Sequence, residues 1–370
     1  MNSLRIDSLV SGWLTLFLLC LSLGVAAAEV DQFTQPQGAP VLLQDSAGIL
    51  DSEVNRRLQL AVQRANNRIM SAPHKSGPKW QTPGCDEDRL YQKIVDQLAR
   101  TLIGQVESFA EESDLITRRT VELQQSIYQD FAWQASPTLV FSERIASVIK
   151  LNNVEIGTDK LGHFFTEGFS YFVVTDQLHR SLESGLLFGE WSEAVYYGAQ
   201  TTGIYSYADL TANFQGVRFW NRLLSIHPDP LTGRTLSPYV VCVQNQWQVA
   251  EDFHWADYVD PGWNESINCP LFRSVDLLTS VRSQGLHCRT EQLPLKKYGK
   301  WQDRLLNIHG HGILPEQLQP EVILKKRVER SDVDVSNETL NYLSELRVRI
   351  ENWRRESIQA ASNQKAAEHR

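Results

Sequence analysis

Residues 157–170 read Gly157-Thr158-Asp159-Lys160-Leu161-Gly162-His163-Phe164-Phe165-Thr166-Glu167-Gly168-Phe169-Ser170. Wound as a helix at about 100° per residue, Asp159, His163 and Glu167 fall within about 80° of one another. Lys160, Thr166 and Ser170 flank that stripe. Leu161, Phe164, Phe165, Gly168, Phe169 and Phe172 cover the opposite side. So two-sided a segment predicts a helix laid on an apolar core. Its polar stripe has two readings. In one, Thr158 or Asp159 caps the helix and the stripe faces water. In the other, Asp159, His163 and Glu167 enter a polar cleft and bind a divalent ion or pass a proton as acid and base. An HxxxE pair is common on helices, and the spacing alone does not choose.

A second segment, Tyr205-Ser206-Tyr207-Ala208-Asp209-Leu210-Thr211-Ala212-Asn213-Phe214-Gln215-Gly216, continues to Trp220. Asp209, Asn213 and Gly216 stand at i, i+4 and i+7, again one helical face. Gly216 would let another backbone approach closely. Ser206 and Asp209 have the spacing of a capping box, which would employ Asp209 structurally. Asn213, among Leu210, Phe214, Phe219 and Trp220, is an awkward helical residue without a partner. The expectation is that the two helices meet at a common polar junction. Asp159, His163, Glu167 and Asp209 would be its acid–base groups, with His163, Glu167 and Asp209 the ligands of any divalent metal ion.

Asp159-Lys160-x-x-His163-Phe164, followed some 40 residues later by Ser206-x-x-Asp209-x-x-x-Asn213-x-x-Gly216, resembles the pattern shared by VanZ-like proteins. A related family of small bacterial lipoproteins is similar. The likeness covers about 60 of the 370 residues. It implies that Asp159, Lys160, His163, Ser206, Asp209 and Asn213 cluster on neighbouring helices, and it supplies no reaction. The chain departs from the pattern in two ways. VanZ-like proteins are membrane-embedded, whereas no apolar stretch in the motif region has spanning length. Their glutamate before the serine has no positional match, although Glu193 and Glu167 are near enough to be considered.

The two ends frame this core. Residues 1–28 hold only Arg5 and Asp7 as charges, run apolar from Trp13 to Val25 and end in Ala26-Ala27-Ala28. A short apolar core before small residues is the pattern of a secretory signal cut after Ala28. The uncharged stretch from Leu9 to Ala28 could also remain as an inner-membrane anchor, and a lipidated Cys20 is disfavoured by Leu18 and Leu19. Cleavage or anchoring alike place the rest outside the cytoplasm, in the periplasm of a bacterial-type cell. Cys85, Cys242, Cys269 and Cys288 then lie in an oxidising compartment, where an even number suggests disulfides. Three pairings are open; the minimal expectation is one bridge among the last three. A net charge of −8 argues against nucleic acid as a partner.

The fold class expected is mainly α, a helical bundle core with an irregular, disulfide-braced segment containing a few short strands. Its parts are a signal (1–28), a lead-in and helix (29–85), a helical core with the motif (86–227), a Cys- and aromatic-rich segment (228–320) and a charged C-terminal helix (321–370). Within these, Asp51 would cap a helix carrying Val54, Leu58, Ala61, Ala65 and Ile69 on one face. A loop spans residues 71–85. A long helix carries Leu90, Ile94, Leu98 and Leu102, and another covers Asp114 to Trp133. Ser336 would cap a last helix with Leu343, Leu346, Ile350 and Trp353 inward, suited to self-association or to docking an envelope or membrane-surface partner.

Two weaker patterns concern ligands. Trp255, Tyr258 and Trp263 among acidic residues could form a platform for sugar rings, or else fill a core beside a disulfide. His309 and His311 in a glycine loop could hold a transition metal. Three functions stay open: an exported envelope protein with a buried polar site, a metal-assisted envelope hydrolase acting on a lipid-linked or glycan substrate, and an interaction protein.

Overall fold

In a computed structural model, which describes residues 29–34, 41–67, 84–99, 105–129, 145–177, 180–195, 198–200, 202–285, 287–320 and 322, the two motif segments are helices that cross backbone to backbone. The signal segment, the 71–83 part of the expected loop, Ile69, Leu102 and the last helix lie outside the described residues.

The chain is mainly helical, with a few short strands. Helix α1 (Ala47–Asn66) packs on α2 (Glu87–Leu98), and α3 (Gln105–Glu112) follows. A hairpin of β1 (Val148–Leu151) and β2 (Val154–Gly157) leads directly into the first motif helix. Its two-residue turn holds Asn152 at φ 51° and Asn153 at φ 63°, the left-handed pair that matches the twist of a tight hairpin.

The first motif helix starts as α at Asp159–Gly162, widens to a π turn at His163–Glu167, returns to α at Gly168–Phe172 and ends in a second π turn, Val173–Gln177. We call residues 159–177 α4. Helix α5 (Leu182–Val195) and strand β3 (Ile204–Tyr205) precede α6 (Tyr207–Arg222). A Cβ on Gly168 would lie 2.6 Å from the Gly216 Cα, and one on Gly216 would strike the Phe164 carbonyl oxygen. Only glycine permits that approach, which sets the two polar stripes against each other. Residues 208–221 of α6 are all buried, so this helix lacks a solvent face altogether.

The apolar side of α4 packs as its spacing predicts. Phe164 and Phe165 sit among Phe219, Phe253 and Trp255, and Phe164 also meets Tyr258 and Trp263. Burying each such ring contributes about 1.5–3 kcal/mol, which makes this the main anchor of the motif helix. Trp255, Tyr258 and Trp263 are therefore core side chains, at most 1 % exposed, and no sugar platform exists there. On the far side of α6, Leu210, Phe214 and Val217 meet Tyr298, Trp301, Leu305 and Leu306.

Several expectations are corrected. Helix α1 begins at Ala47, and Asp51 caps a different element, accepting from the Trp255 amide at 2.7 Å. The expected long helix ends at Leu98, with α3 separate from it. Within 114–133, the described residues 114–129 form turns and one short 3-10 segment, Leu123–Gln125. There the Arg119 backbone pairs with Val148, and Asp31 takes the Ile127 amide at 3.0 Å, so tertiary partners outbid the local helix pattern. The cysteines pair fully: Cys85 with Cys242, which lies in the hairpin of β4 (Val240–Val243) and β5 (Gln246–Val249), and Cys269 with Cys288. Cys85 is thus bridged, contrary to the minimal expectation. Strand β6 (Leu271–Phe272) joins β3 to β7 (Gly312–Ile313). Among the described residues, no helix is long and apolar enough to cross a membrane.

Candidate functional site

Lys160 lies one residue into α4, with its side chain wholly out of water. Its ammonium is 2.8 Å from Asp159 Oδ2, 2.5 Å from Asp209 Oδ1 and 2.9 Å from Glu265 Oε1. An isolated buried ammonium would shed its proton. Burial does pull Lys160 that way, but Asp159, Asp209, Glu265 and Glu29 outweigh it and hold its pKa well above the usual lysine value.

Asp209 joins this inner group to an outer one. Its second oxygen lies 3.1 Å from His163 Nε2, and the other imidazole nitrogen, Nδ1, is 4.0 Å from Glu167 Oε2. Despite burial, His163 and Lys160 hold the Asp209 carboxyl well below the usual carboxylate range. The His163 and Glu167 side chains keep 16 % and 20 % of their surface, so this edge of the cluster reaches solvent. It is also where the helix widens into its first π turn, a local expansion that often accompanies functional positions.

Asn213 is the partner-seeking residue of α6. With its amide nitrogen toward the carbonyl oxygens of Asp209 (3.1 Å) and His163 (3.2 Å), its oxygen accepts from the Tyr171 hydroxyl at 3.2 Å. The same nitrogen is 3.1 Å from His163 Nδ1, which suits a ring protonated on Nε2 only. The carboxylates pull the other way. Burial lowers the imidazole pKa, but Asp209 and then Glu167 raise it well above the ordinary value.

The sequence brought together Asp159, Lys160, His163, Glu167, Ser206, Asp209, Asn213 and Gly216, and all eight meet at this junction. The capping box is only half realised. Ser206 Oγ accepts from the Asp209 amide at 3.2 Å, but the reciprocal acceptor for the Ser206 amide is Glu193 at 2.9 Å, which frees Asp209 for the cluster. Three acids were missing from the sequence-derived set. Glu193 comes from α5, Glu265 from the loop after Trp263, and Glu29 from the lead-in. Glu265 takes the Ser206 hydroxyl at 3.0 Å as well as Lys160. Isolated acids in loops carry no periodic signal; Glu193 entered only as the counterpart of a family glutamate, and Glu265 only among the acids beside Trp255, Tyr258 and Trp263.

These acids are protonated more readily than usual. Burial, reinforced by Asp209, raises Glu193 to about 8; burial, opposed by Lys160, leaves Glu265 at about 7. Burial also raises Asp159 and Glu29. The folded chain thus keeps protons that the unfolded chain releases from about pH 4 upward. The stability this contributes is complete below that pH and is lost as pH rises through 7 and 8; His163, also raised, acts in the same sense. Asp209 acts oppositely, its contribution present above about pH 4 and lost in acid. Urea unfolding should therefore give a maximum near about pH 5 and a decline toward pH 9. A flat profile, or one that climbs from pH 5 to 8, would contradict the buried-acid arrangement.

For a metal, Asp159, His163 and Asp209 each offer a ligand atom within 4.8 Å of the others, as do Glu29, Asp209 and Glu265. The expected trio of His163, Glu167 and Asp209 does not form such a group. Both Asp209 oxygens already face a cation, Lys160 on one side and the imidazole on the other. His311 and His309 do not converge either. The His311 ring lies against Phe33 and Phe272, burial lowers it to about 4, and His309 is exposed. Cys269 and Cys288 beside it are committed to their disulfide. Comparisons with family models, curated proteins and solved structures find no match.

Proposed function

We propose that this chain is an exported cell-envelope protein, periplasmic in placement, whose Lys160-centred junction locks two crossing helices of a bundle-like core. The observation that carries this reading is the fully buried ammonium shared by Asp159, Asp209 and Glu265, with both ring nitrogens of His163 already engaged. A hydrolytic base needs a free ring nitrogen toward its substrate. Export is supported by the apolar leader ending at Ala28 and by four cysteines in two bridges. The VanZ-like resemblance is consistent with the same helix-joining cluster, since its residues are those at the junction.

One observation favours a second reading, an envelope hydrolase: the His163–Glu167 edge reaches solvent. There Asp209 would orient the imidazole and Glu167 would act as the second acid or base. Metal assistance is the weaker form, because Lys160 already supplies the positive charge that the Asp209 carboxylate would offer to an ion. Substitution separates the readings. The structural one expects His163→Ala to cost about 1–3 kcal/mol, from the unpaired Asp209, and Glu167→Gln to stay within about 0.5 kcal/mol. Ester, phosphodiester and glycan hydrolysis would be assayed in the mature protein and in Glu167→Gln. Turnover that disappears in a stably folded Glu167→Gln variant would replace the locking role with catalysis. Docking through residues 336–370 remains a third proposal, read out by oligomeric state after their deletion.

A further inference from the structure

The buried cluster holds more acid than base. Glu29, Asp159, Glu193, Asp209 and Glu265 face one another with Lys160 and His163 as the cations among them. Four of their oxygens are buried without a hydrogen-bond partner among the described residues; Asp209 Oδ1 has the Lys160 ammonium at 2.5 Å, which leaves Glu29 Oε1, Asp159 Oδ1 and Glu265 Oε2. Unpaired buried carboxylate oxygens call for a donor. The chain itself arrives at this spot. The Glu29 carboxylate lies within 4.8 Å of those of Asp209 and Glu265. Its carbonyl accepts from the Ala146 amide at 3.3 Å, and the next carbonyl, of Val30, accepts from the Tyr128 hydroxyl at 3.2 Å. Asp159 Oδ1 and the Val30 side chain crowd the same point beside Gly157. The start of the described chain is thus fastened against the orphaned oxygens.

Covalent geometry keeps any residue's backbone nitrogen within about 5 Å of its own glutamate carboxylate. In an uncut chain the nitrogen of Glu29 belongs to a neutral amide. After cleavage behind Ala28 it is an ammonium with three donors. We propose that this new α-ammonium group is part of the buried cluster, supplying the third cation that its surplus carboxylates lack, so that leader removal completes the charge junction. The inference rests on the export reading above, with the cut placed after Ala28. A divalent ion fits the same oxygens less well, because Lys160 already sits within 2.9 Å of two of the carboxylates it would need.

The test compares the exported, oxidised protein with the same chain carrying Gly-Ser ahead of Glu29, each with and without Glu29→Gln. Intact mass first establishes where the exported chain begins. The expected result is that the extension lowers the thermal midpoint by several degrees, and that Glu29→Gln recovers much of this loss in the extended chain but none in the mature one. The mature α-amino group should also acylate at least tenfold more slowly when folded than in urea. A merely structural role for Glu29 would not protect that amine. Equal melting of mature and extended forms, or a folded amine as reactive as a free peptide's, overturns the proposal while leaving export intact. A first residue other than Glu29 overturns the proposal and the cut after Ala28, while export by an uncleaved or differently cut leader stands.

Discussion

Replacing Lys160 with methionine should lower the unfolding free energy by about 3–5 kcal/mol, the usual cost of removing one partner from a buried ion cluster. The side chains are similar in length, so packing changes little. What changes is that Asp159, Asp209 and Glu265 lose their shared cation and must take up protons or solvent. The effect should shrink when the acids are removed in turn: Lys160→Met with Glu265→Gln and Asp159→Asn should recover a substantial part of the loss. Urea unfolding of the parent and of these variants at one pH measures this, with Asp209 retained throughout to keep its bond to His163. A single Lys160→Met variant within about 1 kcal/mol of the parent would show the ammonium to be dispensable, and the locking role would fall with it. Such a cluster is conditionally stabilising. An all-apolar replacement of the whole group is compatible with equal or greater stability, because each ion gave up its hydration to enter the core.

The junction was legible for a physical reason. Helical periodicity places side chains on faces, and both motif segments have one polar stripe against aromatic neighbours. Gly216 then announces where a backbone comes close, and Gly168 proves to be its counterpart. What periodicity cannot report is a loop residue brought in by tertiary contact, as with Glu265, or a lead-in residue such as Glu29. The same limit explains the failed helix over 114–129. Its spacing was acceptable, but the backbone of Arg119 had a strand partner in Val148 and the amide of Ile127 had Asp31. The β1–β2 hairpin went unread because Val148-Ile149-Lys150-Leu151 is buried on both faces for most of its length and so does not alternate cleanly. Trp255, Tyr258 and Trp263 show which of two expectations burial selects, the core one. Aromatic rings beside acids suggest a ligand surface, yet here the rings fill the space under α4 and the acids turn to other partners.

The two disulfides should differ in what their loss costs. Cys85–Cys242 joins positions 157 apart, Cys269–Cys288 positions 19 apart. In the chain-entropy picture, removing the first costs about 5 kcal/mol and the second about 3 kcal/mol. The native contacts around the long-range bridge should survive without it, since Asn66 clamps the β4–β5 hairpin through its side chain, donating to the Trp247 carbonyl at 2.8 Å and accepting from the Trp247 amide at 2.9 Å. The loss should therefore appear as a lower denaturation midpoint of an otherwise native protein. Urea curves of Cys85→Ser/Cys242→Ser and Cys269→Ser/Cys288→Ser measure it, and a larger cost for the short bridge would refute the entropic ordering. Together the two bridges approach the whole stability of an ordinary domain, about 5–15 kcal/mol. A chain without residues 1–28 made in a reducing cytoplasm should consequently be marginal or unfolded, and should regain its midpoint on oxidation. If it is equally stable with all four thiols reduced, the bridges no longer argue that this protein is built for an oxidising compartment.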